Sequence, residues 1–119
     1  MQQLEKQDCR FPKTVRLLSA LEFKRVFEKP LKIKGNGFSF FVRENGLPHP
    51  RLGLAIPKKA VKLSVGRNRI KRLVRESFRH HQHQLIGVDI VFLAYKGVDV
   101  QPNNDMMCAL IKAWQRVAK

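Results

Sequence analysis

A chain of 119 residues has room for one domain around one modest core, and its 44% hydrophobic content excludes wholesale disorder. Twenty-four Lys and Arg face nine Asp and Glu, a formal net charge of +15. That excess repels itself until a polyanion relieves it, so nucleic acid is the partner class indicated. No apolar run approaches the roughly eighteen residues of a membrane span, and residues 1–10 lack the apolar core of an export signal. Cys9 and Cys108 lie far outside zinc-type spacing and read as free thiols of a cytoplasmic protein.

Residues 1–13 are polar and aperiodic and read as a mobile N-terminal segment of a single domain, 1–119. Ser19 has the chemistry of a helix N-cap, with Glu22 completing a capping box. Leu21, Phe23, Val26 and Phe27 then form a short amphipathic helix that Pro30 stops. Gly35-Asn36-Gly37 marks a turn or irregular entry to a strand, Phe38 to Val42, rich in strand formers. Residues 45–50 have loop chemistry, and Arg51 to Ile56 resumes as a second strand, which suggests an antiparallel hairpin. Pro57 ends it, and a basic connection leads to a long helix over residues 66–83. Gly87 breaks that helix, and the apolar run from Val88 to Tyr95 predicts a buried central strand. After a turn over 97–102, Asn103 or Asn104 can cap a last helix with Met107, Leu110, Ile111 and Trp114 on one face. The expected fold is α+β: a two-layer sandwich of a small, mainly antiparallel sheet with helices on one side, in the order α-β-β-α-β-α.

At about 100° per residue the long helix separates into two faces. Ile70, Leu73, Val74, Ser77, Phe78 and His81 fall together and face the core. Asn68, Arg72, Arg75 and Arg79 fall together on the other side at spacings of four, three and four, with Lys71 flanking. Like charges at such spacing destabilise an isolated helix, and only Glu76 offsets them within the stretch. A phosphate backbone laid along the line removes that conflict. Arginine's planar fork binds phosphate bidentately and stacks on exposed bases, and an Asn amide suits a base edge or ribose hydroxyl. The bland alternative is a solvated helix face, which the near absence of acidic partners at i+4 disfavours.

Catalysis by the polypeptide itself has little support. The nine acids are scattered singly, whereas metal-dependent phosphodiester cleavage needs clustered carboxylates. His80, His81 and His83 sit at a helix end where imidazoles suit the dipole, and no third metal ligand accompanies His80 and His83. DNA reading through a helix-turn-helix lacks its second helix directly before Arg67. A structural ribosomal protein or non-enzymatic RNA chaperone is the alternative that charge and helix also suit.

The run Arg67-Asn68-Arg69-Ile70-Lys71-Arg72-Leu73-Val74-Arg75-Glu76 resembles the signature of the protein subunit of bacterial ribonuclease P. Arg51 to Lys59 resembles that family's second strand and paired lysines, Leu21 to Phe27 its first helix, and Asp89 to Lys96 its apolar strand; the resemblance spans residues 13–116. It implies a ribonucleoprotein endoribonuclease that removes the 5′ leader from precursor transfer RNA, with chemistry performed by a catalytic RNA carrying Mg2+ and no cofactor held by the protein alone. It implies a left-handed βαβ crossover and one protein per RNA, and it agrees with the cytoplasmic location and the lack of a membrane or DNA partner read above. By motif match, Arg67, Asn68, Arg69, Lys71, Arg72 and Arg75 would face the catalytic RNA, and Lys58, Lys59 and Arg79 are expected to bind RNA with them. Phe23, Phe27, Phe38 and Phe40 would line a cleft for the single-stranded leader. The residues alone leave the aromatics open, because an i, i+4 Phe pair suits a core as well as a stacking platform.

Overall fold

A computed structural model describes residues 20–28 and 30–118, with no side-chain description for residues 20 and 21. The expected N-terminal segment and the Ser19 cap lie outside the described residues. Helix α1 (Ala20–Glu28) leads into strands β1 (Leu31–Lys34), β2 (Phe38–Glu44) and β3 (Arg51–Ala55). Helix α2 (Ser64–His81), strand β4 (Val88–Ala94) and helix α3 (Asn103–Ala118) follow, with 3₁₀ turns at Gln82–Gln84 and Val98–Val100.

Two expectations about the sheet fail. Its order is β1-β2-β4-β3, so β2 and β3 are not a hairpin: β4 lies between them, antiparallel to β2 and parallel to β3. The apolar stretch Val88 to Ala94 takes the position that buries both its faces. The loop after β2 must therefore pass the end of β4. Asn45 ties it there, donating from its backbone N–H to Gly87 O at 2.9 Å and from Nδ2 to Asp89 Oδ1 at 2.8 Å. The second difference is β1, a strand paired antiparallel with β2. Between them Gly35 approaches Phe38 so closely that a Cβ there would fall 2.3 Å from the ring. The β3–α2–β4 crossover is present, linking two adjacent parallel strands through a helix.

Register divides the side chains into two sets. On one face Ile33, Phe40, Phe92 and Leu54 align across all four strands, joined by Phe38, Val42, Leu52 and Ile90. Helices α2 and α3 cover this face with Ile70, Val74, Phe78, Met106, Leu110, Ala113 and Trp114. Phe40 stacks on Trp114 with ring centroids 4.4 Å apart, and the buried Trp114 Nε1–H donates to Ser77 Oγ at 2.7 Å. That bond satisfies two polar groups that burial would otherwise penalise. The α3 face is rotated slightly from expectation: Met106 and Ala113 are buried, whereas Met107 and Ile111 sit at the flank. Neither asparagine acts as its cap, since Asn103 is already the first helical residue.

The other face carries Lys32, Phe41, Val91 and Gly53 in one row, and Arg43, Asp89 and Arg51 in another. Helix α1 packs here, with Val26 buried against Val91 beside Phe23, Phe41 and Ala55. Helices therefore lie on both faces of the sheet, not on one. Side chains hold α1 in place. Arg51 donates to both Asp89 oxygens at 2.8 and 2.7 Å and to Glu22 Oε2 at 2.8 Å. Arg43 donates to the Arg25 carbonyl at 2.7 Å and to Glu28 at 3.3 Å.

Candidate nucleic-acid interface

Helix α2 has the two faces that its periodicity predicts. Ile70, Val74, Ser77 and Phe78 are buried, Leu73 is half-buried, and half-buried His81 lies with Nδ1 2.8 Å from Ser77 O. Outward, Asn68, Arg72 and Arg75 are exposed, and Lys71 and Arg79 half-buried. Together with Glu76 they line one shallow groove along the helix. Glu76 is its sole acid. It accepts from Arg79 at 2.5 Å and lies 3.3 Å from His80 Nε2. The hydrogen bond from Arg79, then that from His80, holds the Glu76 carboxyl below its ordinary range. The groove is a cationic strip on a rigid element, suited to a ribose-phosphate backbone.

The remaining basic candidates divide differently. Lys58 and Lys59 are exposed on the turn closed by Ala60 and Val61 N–H groups on the Pro57 carbonyl, at 3.0 and 3.1 Å. Arg67 and Arg69 do not join the outer line. Arg67 folds back and donates to the Val61 and Lys62 carbonyls, both at 2.9 Å. Arg69 donates to Asp99 O at 2.9 Å, to Gln101 O at 3.3 Å and to the Asn103 side chain. These two arginines tether the chain before α2 and the turn before α3. Charge and spacing carry no sign of such carbonyl partners.

The aromatic candidates also separate. Phe38 and Phe40 are 0% exposed and packed under α2 and α3, so neither can form a stacking surface for single-stranded RNA. Their parity on β2 sends them to the face that two helices cover. Phe23 and Phe27 stand on α1 at the opposite face, and Phe27 is 41% exposed. Phe27 meets half-buried Phe41 with centroids 4.9 Å apart, and Lys32 Nζ lies 5.7 Å from the Phe41 ring. Tyr95 donates its hydroxyl to Ser39 Oγ at 3.0 Å. Phe41 and Lys32 are thus members of the surface that sequence reasoning omitted, although strand alternation already set Phe41 apart from Phe38 and Phe40.

Among the described residues no three His, Cys, Asp or Glu side chains cluster to hold a metal ion, and Glu22, Asp89, Glu28 and Glu76 are each turned to an arginine. No described helix is long and apolar enough to cross a membrane.

Comparison with known proteins matches residues 11–118 to the family model described as Ribonuclease P. The ribonuclease P protein component of Stutzerimonas stutzeri is 49% identical over 110 residues, covering 92% of this chain and 84% of the relative. That of Pseudomonas aeruginosa PAO1 is 49% identical over 110 residues, covering 92% and 82%. Among solved structures, a Staphylococcus aureus ribonuclease P protein mutant superposes with a TM-score of 0.83 at 25% identity, covering 97% of each chain. The Thermotoga maritima ribonuclease P protein superposes with a TM-score of 0.75 at 27% identity, covering 85% of this chain and 96% of that one.

Proposed function

This chain belongs to the ribonuclease P protein family, which processes the 5′ end of precursor transfer RNA with an RNA subunit; from that premise we propose that its two faces serve two RNAs. The outer strip of α2 holds the RNA subunit, with Asn68, Lys71, Arg72, Arg75 and Arg79 along its backbone and Lys58 and Lys59 beyond the helix start. The surface beside α1 takes the single-stranded leader of the precursor, with Phe27 and Phe41 as stacking faces and Lys32 for phosphate. Phe23 supports Phe27 from the same helix.

The protein takes part in an endoribonuclease complex. Its own role is accessory: it binds and orients, while bond cleavage and the magnesium ions belong to the RNA. The pairing of Glu22, Glu28, Glu76 and Asp89 with arginines supports that division, as no three His, Cys, Asp or Glu cluster for a cation among the described residues. One protein per RNA, a cytoplasmic setting and no DNA partner complete the reading. The relatives at 49% identity favour it over a ribosomal protein or a general RNA chaperone.

The observation that carries the RNA-subunit face is the line of outward-facing cations along α2, whose one acid is already bound to Arg79. Replacing Arg72, Arg75 and Arg79 together with Glu should abolish RNA-subunit binding at moderate salt. The same triple variant should keep its circular dichroism and cooperative unfolding, with a midpoint lowered only modestly by the lost Arg79–Glu76 pair, because these side chains point away from the core. Single neutral replacements should each lower the salt slope of binding by about one. Unaltered affinity in the triple variant would make the strip an ordinary solvated face.

A further inference from the structure

Arg67 and Arg69 turn away from the outer line and fasten two separate segments, and a groove lies between what they fasten. Arg67 pins residues 61 and 62, and Leu63 follows directly. Arg69 pins residues 99 and 101 on either side of Val100. Lys59, Lys62, Lys96, Leu63, Val100 and the small residues Ala60 and Gly97 line the groove, with Asp99 at its edge. Its volume is about 380 Å³. Leu63 is 74% and Val100 80% exposed, so both apolar side chains stand open to solvent in the same groove. Gly97 holds a φ of 98°, where a larger residue is strained, and nothing lies within 4 Å of a Cβ built there. The wall turn is thus fixed without a side chain to fill the space.

We propose that this groove receives an unpaired, unstacked nucleotide of the RNA subunit, its base between Leu63 and Val100 and its flanking phosphates on Lys59, Lys62 and Lys96. The inference rests on the proposed RNA-binding role and adds a second binding surface of different chemistry. Three lysines from two segments against one aspartate give the charge complementarity for a polyanion. An apolar slot ringed by a few cations suits a base rather than a continuous duplex, whose bases are already stacked. Fixed walls also reduce the ordering cost of binding. In this reading the first and third residues of the Arg-Asn-Arg block act as positioning residues for the groove.

The test is a titration of the full chain against the RNA subunit from the same genome, at several salt concentrations, with chemical probing of the bound RNA. Leu63→Ser with Val100→Ser should weaken binding roughly tenfold at every salt concentration, leaving the slope unchanged. It should also expose one nucleotide that the wild-type protein protects. Lys59→Gln, Lys62→Gln and Lys96→Gln together should instead lower the slope, by roughly 0.7 for each single-strand phosphate no longer neutralised. Both exposed sites tolerate polar replacement, and an unchanged unfolding midpoint verifies the fold. Unaltered affinity and protection in the Leu63/Val100 variant would overturn the groove. If the Arg72/Arg75/Arg79 charge reversal bound as tightly as wild type, the RNA-binding role itself would fail instead.

Discussion

Strand β2 presents the same kinds of side chain to two different worlds. Phe38, Phe40 and Val42 point to the face that α2 and α3 close, where the two rings pack among Phe92 and Trp114 and are shut off from water. Ser39, Phe41 and Arg43 point to the face that short α1 covers only in part, where Phe41 stays half-buried between Phe27 and Lys32. An aromatic ring becomes core or recognition surface according to what lies above it, not by its own chemistry. Two long helices leave no room for a ligand; one nine-residue helix, tied down by Arg43 and Arg51, leaves an edge.

The largest effect expected from breaking that contrast is at Phe40. Phe40→Ala removes a ring from a fully packed site and should cost about 3–5 kcal/mol of stability, read by denaturant unfolding. Any loss of transfer RNA binding in that variant should be equal for precursor and mature forms, because the damage is to the core. A precursor-selective loss with stability intact would place Phe40 at the ligand surface and invert the assignment of the two faces.

A smaller effect is expected at Glu76, on the outer side of the helix that closes the core. Its carboxyl is held below its ordinary value of 4.5 by Arg79 and His80, so the contribution to stability is present above that value. It is lost as pH falls through the lowered folded-state value. Glu76→Gln should therefore lower stability slightly at neutral pH, where the contribution is present, and converge with wild type as pH falls below about 4.5, so that its acid limb is flatter. The same change frees Arg79 and should strengthen RNA binding modestly, with a salt slope steeper by at most about one. Weaker RNA binding in Glu76→Gln would mean that the carboxylate orients Arg79 rather than competing for it.

Much of this arrangement was legible in the residues. The 3.6-residue period of α2 separated Ile70, Val74 and Phe78 from Arg72 and Arg75, and the apolar run from Val88 marked the central strand. Strand β1 escaped notice because Leu31-Lys32-Ile33-Lys34 is too short for a period and buries only Ile33. The supposed β2–β3 hairpin followed from adjacency in sequence, which says nothing of a later strand inserting between two earlier ones. Alternation sorted the phenylalanines of β2 into two sets but did not reveal which set two helices would cover. The inward turn of Arg67 and Arg69 had no sequence signal either, since their partners are main-chain carbonyls on segments up to 32 residues away.

The central claim is that opposite faces of one small sheet-and-helix unit serve two RNAs independently. The most direct measurement assembles Phe27→Ala/Phe41→Ala protein on the RNA subunit and compares its affinity for precursor and mature transfer RNA. The account predicts unchanged assembly and an unchanged affinity for mature transfer RNA, with precursor binding weaker by about tenfold. Unchanged preference for the precursor, or weakened assembly in a variant that still folds, would contradict it.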